Sequence, residues 1–153
     1  MYDKTVTVFN FYSSKTAGLS YWYPHILSCV DLITDHGAML KKYGPDSTDN
    51  AALHIAYTPN GEKVMAQQSD GSAVPWLPPK AWAAQVNDDL PGSITFGPED
   101  FFWQGEWTGG MVVDDDYRNG FYQYMNSNRD NVYKITSVGG PYTVIPHFEI
   151  LGK

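Results

Sequence analysis

Thr5-Val6-Thr7-Val8-Phe9-Asn10-Phe11-Tyr12 alternates β-branched and aromatic residues. A period of two in residue types that suit a pleated surface reads as a strand. The turn residues 13–18 follow it. Residues 19–31 are then mostly apolar but broken by Pro24, which cannot donate to a ladder, so they read as an edge strand or two strands around a bend. Residues 33–43 fit a short strand or one helical stretch, and Gly37 weakens both. Gly44-Pro45-Asp46-Ser47-Thr48-Asp49-Asn50 is a loop by composition. Residues 51–57 read as a strand, Pro59-Asn60-Gly61 as a tight turn and 62–67 as the returning partner.

Further along, 68–75 reads as a second loop. Pro78-Pro79 opens a short helix to residue 84, with proline in the first turn. Residues 93–96 read as a strand. The triplet Phe101-Phe102-Trp103 fits either a half-buried strand or a contact surface. Residues 109–120 form an excursion that holds Asp114-Asp115-Asp116, and 121–125 fit a short helix or a strand. Residues 132–138 alternate cleanly, Gly139-Gly140-Pro141 turns, and 142–151 make the last strand. About seven to nine short strands, with turn signals between them, predict a mainly β fold: a small antiparallel barrel or sandwich with long loops and one or two short helices.

Length and composition agree with one domain over residues 1–153. A chain of this size buries roughly 68–70% of its unfolded surface, so it needs no disulfide or metal staple. Charged residues are 18% and apolar residues 42%, too few charges for disorder. Gly 14 and Pro 10 exclude a coiled coil or helical solenoid. Ten Lys and Arg stand against seventeen Asp and Glu, for a net charge of -7. The densest cationic run is Lys41-Lys42, so no cationic face for phosphates is visible. Cys29 sits in an apolar stretch and reads as a small buried hydrophobe in a reducing compartment. The first residues lack the apolar core of a signal peptide, and no 18-residue apolar run suggests a membrane span.

Motifs of catalysis are weak. His25, His36, His54 and His147 lack the i, i+4 spacing of a helical zinc site. Counting from Asp114, calcium-loop positions six and twelve fall on Asn119 and Met125 instead of Gly and Glu, so the acidic triplet reads as a solvated loop. Glu99, Asp100 and Glu106 lie near aromatics, as glycosidase carboxylates do, but such pairs are common in an acidic, aromatic chain. Neither a Gly-x-Ser-x-Gly elbow nor a phosphate-binding glycine loop occurs. The stronger signal is aromatic, at 15% of residues. A core is expected to absorb about half of these rings, leaving the rest for a partner. Trp76, Trp82, Phe101, Phe102, Trp103 and Trp107 are the interface candidates, and Asp114, Asp115 and Asp116 are candidates for an acidic contact loop.

Five segments taken in order carry a resemblance: Thr7-Val8-Phe9-Asn10-Phe11-Tyr12, Trp76-Leu77-Pro78-Pro79-Lys80-Ala81-Trp82, residues 96–106, residues 133–138 and residues 146–153. In that order they resemble small proteins encoded among the head-completion and head–tail joining genes of tailed bacteriophages and prophages. The resemblance implies a non-enzymatic virion protein without a cofactor, a neck subunit of the head-closure (stopper) or head–tail connector type. It implies a β-barrel that forms a homo-oligomeric ring below the portal, assembled in the host cytoplasm. Portal or adaptor and tail proteins are the implied partners, with at most weak passage contact with DNA and none with a membrane. On this reading the loops 44–50, 68–75 and 108–120 are channel or axial contacts. The alternatives are a tail-terminator or tail-tube-like protein and, from another class, a carbohydrate-binding β-sandwich.

Overall fold

The computed structural model describes residues 3–14, 18–35, 50–60, 63–85 and 90–153. The opening alternation forms β1 (Lys4–Ser13), which pairs antiparallel with β2 (Ser20–Asp35). Then come β3 (Asn50–Asn60), β4 (Lys63–Gln67) and β5 (Ala73–Pro75), the helix α1 (Pro79–Ala83), β6 (Phe101–Trp103) and β7 (Val112–Val113). The helix α2 (Phe121–Asn128), β8 (Val132–Tyr142) and β9 (His147–Gly152) complete the chain. Strands β1, β2, β3, β9, β8 and β6 pair in that order, and β6 returns to β1. The result is a closed six-stranded antiparallel barrel, with β4–β5 and β7 as extensions. Closure leaves the barrel wall without edges to pair with other chains.

Closure depends on one bend. Between Lys4 and Val6 of β1, β2 advances from Val30 to Leu27, so β2 carries one extra residue. Cys29 takes φ 56 there. This β-bulge sharpens the local twist, and β2 leaves β1 to pair Asp31–Asp35 with β3. The bulge also turns Cys29 outward. It is an exposed thiol, and the expectation of a buried one is corrected. Pro24 pairs with Phe9 of β1 on one side, and the β2–β7 pairs stop at Trp22 on the other. A strand with one neighbour at that point tolerates a missing donor.

The barrel wall around β1 and β6 is covered on both faces. Val6, Val8 and Phe102 point into the barrel with Leu27, Leu53, Tyr133, Phe148 and Ile150. Phe9, Phe101 and Trp22 point outward and are roofed by Phe121 and Met125 of α2. That helix buries i and i+4 and sends Gln123, Tyr124 and Ser127 to solvent. A third cluster holds Trp82 of α1, Tyr23 and Leu90. The rings pack mostly tilted or edge-on, for example Phe96 on Phe148 at 5.0 Å and 67°.

Several boundaries differ from the sequence reading. Residues 93–96 make one isolated parallel bridge, Trp76 to Ile94, instead of a strand. The loop read over 68–75 ends in β5, after a turn in which Asp70 accepts bonds from the Ser72 N–H and hydroxyl. β8 runs on through Gly139-Gly140-Pro141 to Tyr142, with a register shift there, so the turn into β9 comes later. Gly140 has φ 104, which a side chain rarely adopts, and this irregularity absorbs the expected turn. His36, Lys41-Lys42 and loop residues 44–49 lie outside the described residues.

Candidate functional site

The fold itself uses the interface candidates named from sequence. Phe101 and Phe102 are fully buried, one on each side of the barrel wall, and Trp82 is buried with its indole N–H donating to the Ser93 carbonyl at 3.3 Å. Trp76, Trp103 and Trp107 are half-buried. The Trp76 ring lies 5.2 Å from Phe148. Trp103 carries the Arg129 guanidinium at 5.2 Å, and Trp107 donates to the Gly110 carbonyl at 3.0 Å. Six of the seven phenylalanines are buried. Among the described residues eleven aromatic side chains are buried, close to half of the 23 in the chain, which is the share expected of a core; Tyr124 and Tyr142 are exposed.

The acidic triplet forms a 3-10 turn, Asp114–Asp116. Asp114 Oδ1 accepts the Trp22 indole N–H at 2.9 Å and the Phe121 backbone N–H at 2.8 Å. It therefore satisfies the first exposed N–H of α2, where negative charge is favoured. Asp115 accepts from the Ser20 N–H at 3.2 Å. Asp115 and Asp116 remain exposed.

Asp100 is the most perturbed acid. It is 3% exposed and accepts N–H donors from Phe11 at 2.9 Å, Gly97 at 2.9 Å and the Asn10 amide at 3.3 Å. Asn10 also bonds the Thr95 carbonyl and N–H, at 2.7 and 3.2 Å. This network ties β1 to the 95–100 segment. Burial pushes the Asp100 carboxyl up to about 7, against the three donors that favour its charged form. Glu99 and Glu106 are exposed. Asp100 has donors on both oxygens, so what it does here is hold the fold.

Two adjoining cavities share Pro79, Gly97 and Pro98. One, of about 310 Å³, is bordered by Phe11, Lys80, Trp82, Glu99 and Asp100. The other, of about 400 Å³, is an apolar groove walled by Trp76, Phe96, Ile135 and Val138, without a charged residue among its described lining. Trp76 Nε1 and Thr95 Oγ1 have no partner among the described residues, but both are sealed from solvent, so an occupant of the grooves does not reach them.

The barest apolar surface was missed in the sequence. The turn between β8 and β9 exposes Val144 at 96% and Ile145 at 71%, beside exposed Tyr142. The base of this hairpin is strapped to β3: the Tyr57 hydroxyl donates to the Tyr142 carbonyl at 2.8 Å, and the Tyr57 N–H to the Pro146 carbonyl at 3.3 Å. His147 lies between Tyr142 and His54, with ring centroids at 5.0 and 6.3 Å. Its Nδ1 bonds the Ile145 carbonyl, and its Nε2 meets Glu149 at 3.2 Å. Those two acceptors raise its pKa above the usual imidazole value. His54 faces Asp31 at 3.6 Å. His25 is buried against Gln68 at 3.1 Å, and burial lowers its pKa. Among the described residues no group of three His, Cys, Asp or Glu is placed to hold a metal, and no helix is long and apolar enough to cross a membrane.

A family model described as a family of unknown function (DUF6751) matches residues 1–153, and the chain belongs to that family. No curated protein and no solved structure matches it.

Proposed function

We propose that this DUF6751 member is a non-enzymatic structural subunit of a tailed-phage virion, of the head-closure or head–tail connector type, forming a ring below the portal. The observation that carries this reading is the bare hairpin tip. Val144 and Ile145 stand in water on a hairpin whose base is held by Tyr57. An exposed apolar group on an ordered support is removed from water by contact with another surface, and ordering costs little when the support is already fixed. Head-to-tail rings need two unlike faces on one subunit, and the tip and the apolar groove are unlike. Two hydrogen-bonded carboxylates support a role without chemistry, since Asp100 and Asp114 both accept backbone N–H groups of the fold. A sugar-binding sandwich would present coplanar exposed tryptophans, whereas the five here are buried or half-buried.

The test is a mass measurement of the purified chain alone and with a portal ring from the same phage or prophage. Assembly of the chain into rings, alone or on the portal, is expected. A chain that stays monomeric in both conditions contradicts the reading.

A further inference from the structure

We propose that the cleft at the C-terminal end of α2 binds the phosphate group of a small ligand, with Arg129, Lys134 and Lys153 as its cations. The site does not depend on the ring reading.

The fold gathers these charges from separate segments. Arg129 follows α2, Lys134 lies in β8 and Lys153 follows β9. Lys134 and Lys153 exchange both backbone hydrogen bonds, at 3.0 and 2.9 Å. Residues paired in this way lie directly opposite each other, with Cα atoms about 5.5 Å apart and side chains on one face. All three cations line one open cleft of about 690 Å³, together with Asn126, Asn131 and Thr136. That volume is in the range of small-molecule sites.

Charge in the cleft is unbalanced. The chain has seventeen acids to ten Lys and Arg, yet here three cations meet one acidic side chain, Asp130. Among the described residues none of the three is in an ion pair. Like charges directly opposite on neighbouring strands destabilise a sheet. The end of α2 accounts for Arg129, because cations are favoured beside the last carbonyls of a helix. It does not account for the two lysines. An anion held between them removes their repulsion.

Two of the cations rest on rings. The Lys134 ammonium lies 4.9 Å from the centre of the Tyr122 ring, and the Arg129 guanidinium 5.2 Å from that of Trp103. A ring face orients a cation without neutralising it, so N–H donors remain for an oxyanion. A phosphate suits this set better than a carboxylate. It carries about two negative charges and three acceptor oxygens, to match two ammoniums and a guanidinium fork. Asn131 adds an uncharged donor: its side-chain oxygen accepts the Tyr133 hydroxyl at 3.2 Å, which leaves its amide N–H groups for a ligand. The net charge of -7 opposes a long polyanion, so the ligand is small, with one or two phosphates.

The experiment titrates the full chain with inorganic phosphate and, separately, with a nucleoside diphosphate, and follows backbone amides by NMR. Sodium chloride at matched ionic strength is the control. Saturable shifts are expected at residues 126, 129, 131, 134 and 153. Tighter binding of the nucleoside diphosphate assigns the site to phosphate esters, and binding of inorganic phosphate at least as tight assigns it to the free ion. Lys153→Gln and Arg129→Gln, both at exposed positions, are each expected to weaken binding at least ~10-fold, once thermal melts show that they fold like wild type. Lys80→Gln, on α1 and outside the cleft, is expected to leave binding unchanged. Affinity that survives in both cleft variants overturns the proposal. So do shifts that chloride reproduces, which mark screening alone. Shifts that follow protein concentration and ignore phosphate also overturn it, and assign the cleft to carboxylates of a second copy.

Discussion

One strand, β8, shows two kinds of apolar surface. At its start Val132, Tyr133 and Ile135 are buried, with Val132 under α2 and the other two inside the barrel. Just past its end, Val144 and Ile145 stand in water. The first region is rich in rings and holds the fold. The second has small aliphatic side chains and is left uncovered by the fold. Where rings are dense they pack on one another, and where an ordered strand outruns its own core the apolar side chains stay bare.

The largest effect on stability falls in the first region. Phe102→Ala removes a ring inside the barrel, and should cost ~3–5 kcal/mol in denaturant unfolding. A cost below about 1 kcal/mol would mean that the wall is less tightly closed than the strand pairing implies.

Asp100 tests the same region by pH. Its folded pKa of about 7 lies above the unfolded 3.8, so the native state holds more protons between those values. Stability from this group is present at acid pH and declines as pH rises from about 4 to about 7, by up to roughly 4 kcal/mol. His25 works in the opposite sense. Its lowered pKa gives stability above 6.5 that is lost as pH falls below it. Asp100→Asn should flatten the slope above pH 4 in urea titrations, and an unchanged slope would place the proton elsewhere.

Gly140 lies between the two regions. At φ 104, an added Cβ would sit 3.0 Å from the His147 carbonyl and the Tyr142 N–H nitrogen. Gly140→Ala should cost ~1–3 kcal/mol and loosen the tip, measured by thermal melts and by proteolysis within 141–147. The smallest effect on stability belongs to the tip. Ile145→Ser should change the unfolding free energy by no more than about 0.5 kcal/mol. A large loss would mean that the fold itself covers this side chain.

The sequence made local structure legible where one short segment sufficed. The alternation in β1, the return of β4 onto β3 and the double-proline entry to α1 each have a nearby physical cause, although Pro59 and Asn60, read as part of the turn, are strand residues paired with Val64 and Lys63. Barrel closure was left open against a sandwich, because it depends on pairs such as β6 with β1 that are far apart in the chain. The burial of both Phe101 and Phe102 was also hidden, since period-two reasoning assumes one wet face and α2 covers the other. Cys29 was misjudged because a bulge reverses the direction of a side chain. Reading 142–151 as one strand concealed the tip: the irregularity at Gly139–Tyr142 moves the turn onto Val144 and Ile145, and composition alone does not mark that shift. The groove brings together residues from 76 to 140, and no local pattern points to it.

Hydrogen–deuterium exchange of the wild-type chain, compared between dilute and concentrated samples, reaches the main claim most directly. The backbone amides of Tyr142, Thr143, Val144, Ile145 and His147 at the tip should slow as concentration rises, while β1 and β6 keep their rates. Assembly with unchanged exchange in the tip would contradict the proposal that another surface covers the exposed hairpin in the assembly.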